Sequence, residues 1–310
     1  MPSNLYPLGA LPARFRRQRV LIVGCGDVGL RAAKALGRGV RLMALTSSPD
    51  RIAALRAAGI VPVLGNLDDA ATLARLAGLA TRVLHLAPPP PRGVVDPRTQ
   101  ALARALARRR LPRTLAYIST TGVYGDCGGA WVDETRMPAR ASERARRRVD
   151  AEATLRALGR QGVRVALLRV PGIYAADRPG GAPRERLLRG TPLLRQEDDV
   201  YVSHIHADDL ARACVLALWR ARPQRVCNVA DDSSLLMGDY FDLAADGYGL
   251  PRLPRIARAR AQRELTPAML SFLGESRRMV TRRLRRELRL RLRYPTVREG
   301  LAATAQGQRG

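Results

Sequence analysis

Gln18-Arg-Val-Leu-Ile-Val-Gly24-Cys-Gly26-Asp-Val-Gly29 is the stretch whose reading decides the fold. The apolar run Val20 to Val23 reads as a buried strand leading straight into Gly24-x-Gly26-x-x-Gly29. Leu30-Arg-Ala-Ala-Lys-Ala-Leu36 then continues as a helix, which Gly37 and Gly39 stop. Strand, glycine loop and helix in this order form the dinucleotide-binding fingerprint. Gly24 permits the tight turn, Gly26 lets the backbone approach a pyrophosphate, and Gly29 lets the helix pack close to the strand. The free N–H groups and positive dipole end of the helix, at Asp27, Val28 and Gly29, suit a phosphate dianion without any cationic side chain.

Outward from this loop the pattern repeats. Val40–Leu45 reads as a second buried strand, followed by helix 52–58, a short strand at 60–64 and helix 72–78. A fourth strand at 82–87 runs into the prolines 88–91, helix 99–109 follows, and 114–119 is a fifth strand. Alternation at this spacing predicts an α/β fold, a doubly wound parallel sheet of the Rossmann type covered on both faces. The end of the second strand bears on which cofactor is accepted. An acid there holds the ribose 2′-hydroxyl of NAD, whereas small hydroxyls and an arginine receive the 2′-phosphate of NADP. Thr46, Ser47, Ser48 and Arg51 stand there, so NADP is expected, with NAD as the alternative because Asp50 is adjacent.

The chain has 310 residues and a formal net charge of +27, which raises nucleic-acid binding as a reading. Lys34 is the single lysine among the 54 basic residues, and the arginines are spread along the whole chain. Phosphate binding does not exclude lysine. A codon bias toward G and C produces both the arginine excess and the abundance of Ala, Gly and Leu, so a nucleic-acid partner is not expected. The arginine run 277–293 is the best surface for one, yet it lacks interleaved aromatics. Cys25, Cys127, Cys214 and Cys227 show no paired or metal-ligand spacing and read as free thiols. The N-terminus shows no apolar core of signal-peptide length and no stretch approaches a membrane span, so cytoplasmic residence is the expectation.

At Ser119-Thr-Thr-Gly-Val-Tyr-Gly-Asp126 the chain resembles the extended short-chain dehydrogenase/reductase superfamily, in particular its NAD-dependent epimerase/dehydratase branch. The nucleotide loop, Gly65-Asn-Leu-Asp68, His85-Leu-Ala87, Leu168-Arg-Val-Pro-Gly-Ile-Tyr174, His206-Ala-Asp-Asp-Leu-Ala211 and Asn228-Val-Ala-Asp231 match that family's motifs in order, over about residues 18–301. The resemblance implies cofactor contacts at Asn66, Leu67, Leu86, Ala87, Pro88 and Pro171, and a hydroxyl at Thr120 for the substrate's reacting oxygen. It also implies a cofactor domain over 18–177 completed by 205–231. A smaller C-terminal α+β substrate domain takes 178–204 and 232–301, with a loose arm over 1–17 and a tail over 302–310. The pair His204 and His206 is explained as the entry to a helix, so no metal is expected.

The family's proton relay is Tyr-x-x-x-Lys, in which the ammonium lowers the phenol's pKa and holds the nicotinamide ribose. Aligned on Glu152, this chain has Arg144 at the tyrosine and Arg148 at the lysine. No tyrosine or lysine occurs between Tyr124 and Tyr174. Arginine stays protonated, so Arg144 cannot exchange a proton, whereas Arg148 can still bind ribose or phosphate. Tyr124 and Tyr174 are the phenols available to replace the missing acid. The expected partner is a small polar or nucleotide-linked molecule and the expected state a monomer or homodimer. The competing reading is a dinucleotide-binding redox sensor or scaffold without chemistry. In the second half, 264–286 is expected to be largely helical, and Leu288-Arg-Leu-Arg-Leu-Arg293 alternates as an edge strand does.

Overall fold

Seven strands form one all-parallel sheet: β1 Gln18–Val23, β2 Val40–Thr46, β3 Val61–Leu64, β4 Arg82–His85, β5 Thr114–Thr120, β6 Arg164–Val170 and β7 Arg225–Asn228. Their spatial order is β7-β6-β5-β4-β1-β2-β3. The computed structural model describes residues 18–175, 177–178, 183–266, 269–270 and 273–307. The arm expected over 1–17 and residues 308–310 of the tail lie outside them, whereas 302–307 continue the helix Val297–Gly307.

Alternate residues of β1 face opposite sides of the sheet, so Val20 and Ile22 enter one core while Leu21 and Val23 enter the other. Both cores are apolar because helices cover both faces, and this is why the strands read as continuous hydrophobic runs. Helix α1, Asp27–Leu36, packs beside α5, Ala207–Arg220, on one face. Helices α3, Pro97–Ala107, and α4, Glu143–Arg160, lie together on the other, and α2, Arg51–Ala57, follows β2. The strand order reverses between β1 and β4, which opens the crevice where ligands of such sheets bind.

A third apolar cluster contains Tyr174, Leu193, Leu194, Tyr240, Phe241, Leu253 and Val297, and is the core of the smaller lobe. Helix α6, Met237–Tyr248, runs through it as the sequence pattern anticipates. Two expectations for the second half need correction. Among the described residues, 264–286 holds a helix end, helical residues at 269–270 and 273, the two-residue strand Arg278–Met279 and the five-residue helix Arg282–Arg286, not one long helix. Residues 288–293 form no strand. Leu288 and Leu290 do point inward, but Arg289 has φ +53°, and the Asp209 carboxylate accepts from the backbone N–H groups of Arg293 and Tyr294 in place of a neighbouring strand. Leu284, Leu288 and Leu290 pack into a sheet-domain core, so this part of 232–301 belongs to the cofactor lobe and not to the smaller one. The segment read as helix 72–78 is a 3₁₀ helix, Ala70–Leu76, capped by the Asp69 carboxylate.

Asp231, just beyond β7, lies buried at the junction of the lobes, accepting a 3.0 Å hydrogen bond from the Ser233 N–H. Burial pushes its carboxyl up to about 8, against the pull of the Ser233 hydrogen bonds. A folded value above the ordinary value of about 3.9 means that the stability this group supports is fully present below about pH 4 and is lost as the pH rises toward 8. Asp231→Asn is therefore expected to be more stable than the parent at pH 8 and nearly equal to it at pH 4. Urea unfolding at the two pH values checks this, and a parent at least as stable as the variant at pH 8 counts against it.

Candidate functional site

At the switch point the backbone of the glycine loop presses against the segment after β4. The Val23 carbonyl accepts from the N–H groups of Leu86 at 2.7 Å and Ala87 at 3.0 Å. Gly24 has φ +85°, and a Cβ on it would stand 2.4 Å from the Ala87 nitrogen, so only glycine fits there. A Cβ on Gly29 would meet the Gly24 carbonyl oxygen and the Cys25 sulfur at 3.3 Å, which accounts for the close helix packing. A Cβ on Gly26 would meet nothing within 4 Å. That open approach lies before the N-terminus of α1, where the first helical bond, Leu30 N–H to Gly26 carbonyl, leaves Asp27, Val28 and Gly29 without intrahelical acceptors. These features fit a dinucleotide pyrophosphate.

Asp27 puts a negative charge in this first turn, and the structure balances it. Arg31 bonds Asp27 at 2.8 Å and also holds Asp177 and Asp208 at 2.6 Å each, while Arg178 lies 3.1 Å from Asp27. The network ties α1 to α5 and to the segment after residue 174. Asp27 thus serves the frame of the loop.

Two cavities flank the loop along the carboxyl edge of the sheet. The first, about 240 Å³, lies at the ends of β1, β2 and β3 and is lined by Gly24, Cys25, Thr46, Ser47, Ser48, Arg51, Asn66, Leu67, Asp68 and Ala87. Arg51 reaches across to donate to the Cys25 carbonyl at 2.6 Å, which places its guanidinium between the hydroxyls after β2 and the glycine loop. One wall was not anticipated from the sequence: Arg98, at the start of α3, grips both oxygens of Asp68 at 2.7 and 2.6 Å and donates to the Pro88 carbonyl at 3.3 Å. That pair holds Asp68 well below the ordinary carboxylate range. A turn residue and a helix residue separated by an intervening strand carry no spacing signal, so nothing in the sequence joins Arg98 to Asp68.

The second cavity, about 280 Å³, lies at the ends of β5 and β6. Its lining includes Thr120, Thr121, Arg144, Pro171, Tyr201, Ser203, His204, Glu275 and Arg277. Thr120 ends β5, and its Oγ1 accepts from the Gly122 N–H at 3.1 Å, which leaves the hydroxyl proton available. Arg144 projects from the first turns of α4, whose N-cap is Ser142. A Cβ on Gly122 would be 3.4 Å from both Arg144 Nη2 and Thr120 Oγ1, so the guanidinium stands near the threonine. Burial, opposed by Glu275, pulls Arg144 below the ordinary arginine value, with Arg277, Arg148 and Arg147 as like charges. His204 stacks on Tyr240 at 3.9 Å, and burial holds its imidazolium down to about 3, so the ring is neutral.

The other sequence-derived site residues do not line this cavity. Arg148, four residues along α4, donates to the Tyr117 hydroxyl at 2.9 Å and the Ile118 carbonyl at 2.8 Å, bracing β5. Tyr124 is buried with its hydroxyl donating to Asn228 Oδ1 at 2.8 Å. Tyr174 is buried against His204 and His206, its hydroxyl donating to the Thr296 carbonyl at 3.3 Å. Burial raises both phenols above the ordinary tyrosine value. His206 caps α5, its Nδ1 accepting from the Asp208 N–H at 3.2 Å. Tyr201, Glu275 and Arg277 come from segments without a recognisable motif and reach the cavity through tertiary packing; the short strand Arg278–Met279 pairs with Trp131–Val132.

The chain is similar to known proteins across nearly its whole length. Residues 20–115 match the TrkA-N domain. A functionally unknown conserved protein from Silicibacter pomeroyi DSS is 32% identical with a TM-score of 0.80, covering 94% of this chain and 100% of its own. UDP-glucose 4-epimerase from Thermotoga maritima is 19% identical with a TM-score of 0.75, over 94% of this chain and 98% of its own. UDP-glucuronic acid 4-epimerase from Bacillus cereus, solved with NAD, is 18% identical with a TM-score of 0.72, over 93% and 97%. The last two show a shared fold. No curated protein matches this sequence.

Gly26→Val is expected to leave the protein folded, since its side chain enters open space, and to abolish dinucleotide binding by filling the pyrophosphate approach. Circular dichroism with calorimetric titration of NADPH checks both halves; a folded variant with parental affinity rules out the loop's role.

Proposed function

The chain belongs to the same family as the Silicibacter pomeroyi protein, and on that premise we propose that it is a member of the extended short-chain dehydrogenase/reductase superfamily that binds NADP(H) and acts as an epimerase- or reductase-like oxidoreductase on a small polar or nucleotide-linked substrate. The observation that carries this reading is the open space at Gly26 before the unpaired N–H groups of α1, between one cavity lined by Arg51 and another lined by Thr120.

Gly24, Gly26, Val28 and Gly29 would hold the pyrophosphate, with Asn66, Leu67 and Ala87 around the adenosine and Pro171 beside the nicotinamide. Thr46, Ser47 and Arg51 would receive a 2′-phosphate, for which Arg51 would exchange the Cys25 carbonyl for a charged acceptor. Bound nicotinamide supplies hydride acceptance or donation at its C4. The Thr120 hydroxyl would orient the reacting oxygen of the substrate. Arg144 stabilises negative charge developing there but cannot exchange a proton. Tyr124 and Tyr174 are committed to buried hydrogen bonds, so the proton would pass through Tyr201, which lines the cavity, or through water. The same commitments support a second reading, a dinucleotide-binding sensor or scaffold without turnover.

NADPH should bind more tightly than NADH, and Arg51→Ala should erase most of the difference, costing about 1.5–3 kcal/mol for a charge-assisted bond. Calorimetry with both nucleotides decides; equal affinities in the parent remove the 2′-phosphate assignment. Separating the two readings needs a different variant. If the parent is a sensor, Arg144→Tyr combined with Arg148→Lys should create hydride transfer that the parent lacks, followed as NADPH absorbance with a panel of sugar-nucleotide and small carbonyl substrates. Turnover in the parent selects the enzyme.

A further inference from the structure

We propose that the amino edge of the sheet, opposite the crevice, is a docking face for double-stranded nucleic acid, which exposed arginines hold by its phosphates without reading its bases. The inference does not depend on the cofactor reading, because the two sites lie at opposite ends of the strands.

Position is the first argument. The arginines are spread along the chain, yet the fold gathers many of them at this one edge. Arg19 and Arg41 are register partners at the starts of β1 and β2, and Arg82, Thr114 and Arg164 are partners in turn at the starts of β4, β5 and β6. Backbone hydrogen bonds from Thr81 to Arg19, from Arg113 to Thr81 and from Arg164 to Arg113 put these starts in one row. The helix ends and turns that feed the strands add Arg38, Arg108, Arg110, Arg160 and Arg222, all exposed. A helix dipole favours cations in a last turn, but it does not account for arginines that open strands. Codon bias sets how many arginines a chain carries and not where they meet.

The second argument is missing compensation. Near the carboxyl edge Arg31, Arg98, Arg169 and Arg178 all meet carboxylates. At the amino edge, among the described residues, only Arg225 does, at Glu287. Arg82 is buried there, and its hydrogen bonds go to neutral groups, the Thr114 hydroxyl at 3.0 Å and the Leu218 carbonyl, with Nε unpartnered. Burial, with Arg164 and Arg113 as like charges, pulls it below the ordinary arginine value. A buried charge is costly unless an opposite charge meets it, and a field built from one sign of charge attracts polyanions.

Surface character selects the partner. From β2 to β6 the row crosses four strand spacings of about 4.8 Å, about 19 Å in all, a length of duplex axis that carries about 11 phosphates. A membrane surface would take apolar side chains into the lipid, and of the exposed large apolar residues only Val61, on the outermost strand β3, stands at this edge. Among the described residues Trp219 is the one aromatic side chain at the edge, and the Arg82 guanidinium lies 4.6 Å over its ring. Unpaired bases therefore find no stacking platform, which favours a duplex over a single strand.

Fluorescence anisotropy of a labelled DNA duplex of about 20 base pairs, titrated with the full chain between about 50 and 200 mM salt, tests this. Affinity should fall by about 1,000-fold across that range. Arg108→Gln, Arg110→Gln and Arg113→Gln together should weaken binding by about tenfold or more and reduce the salt slope by about 3. The same charge removed from the smaller lobe, by Arg184→Gln, Arg189→Gln and Arg263→Gln, should change affinity by less than about twofold. Arg38→Gln with Arg41→Gln, at the other end of the row, gives the same test if circular dichroism shows that the first triple variant does not fold. Equal losses in the two triple variants mean attraction to net charge alone and overturn the proposal, as does a duplex affinity that salt does not move. Tighter binding of the single strand than of the duplex also overturns it. So does binding to phosphatidylserine vesicles without binding to the duplex, which would make the edge a membrane surface.

Discussion

The Val23 carbonyl accepts two hydrogen bonds from the segment after β4, and the rest of the molecule is arranged around that contact. It draws the ends of the two central strands together so closely that Gly24 has no room for a side chain. Because β2 and β3 extend from one side of this seam and β5, β6 and β7 from the other, a crevice opens above it. The open face of Gly26 and the N-terminus of α1 look into that crevice, and each cavity occupies one flank.

The charges follow a similar logic of local compensation within a strongly basic chain. Glu152, wholly buried in α4, accepts from the Ser119 hydroxyl at 2.7 Å and from Arg169 at 3.1 and 2.8 Å, and so ties α4 to β5 and β6. Arg169 in turn lies 4.8 Å over the Tyr124 ring. Removing one partner of such a pair is expensive, whereas a well-satisfied pair serves chiefly to fix geometry. Here it fixes the helix that presents Arg144 and the strand that ends in Thr120. Around Asp27 the acids dominate instead, and Arg31 and Arg178 neutralise them.

Most of the first half was legible in the sequence. Buried parallel strands are continuous apolar runs, and glycines at a switch point are set by backbone geometry within a dozen residues, so both leave a local trace. The end of the second half was less so. In Leu288–Arg293 the alternation of leucine and arginine correctly marks which residues turn inward, but Asp209, more than eighty residues away in the chain, takes the N–H groups a neighbouring strand would have used. Tyr124 and Tyr174 were attractive as phenols near the motif; whether a phenol faces a cavity or a buried carbonyl depends on what packs against it.

Residue order by itself determined the doubly wound sheet, the dinucleotide loop, the hydroxyls and arginine after β2, and the absence of the Tyr-x-x-x-Lys pair, because each is a matter of residue type at short spacing. The tertiary structure alone decided that Arg98 locks Asp68, that Arg148 braces β5 while Arg144 lines a cavity, and that Tyr201, His204, Glu275 and Arg277 share that cavity with Thr120. Those residues come from segments far apart in the chain, and their meeting is set by how the smaller lobe packs against the carboxyl edge of the sheet, a long-range balance of burial and hydrogen bonding that no local pattern encodes.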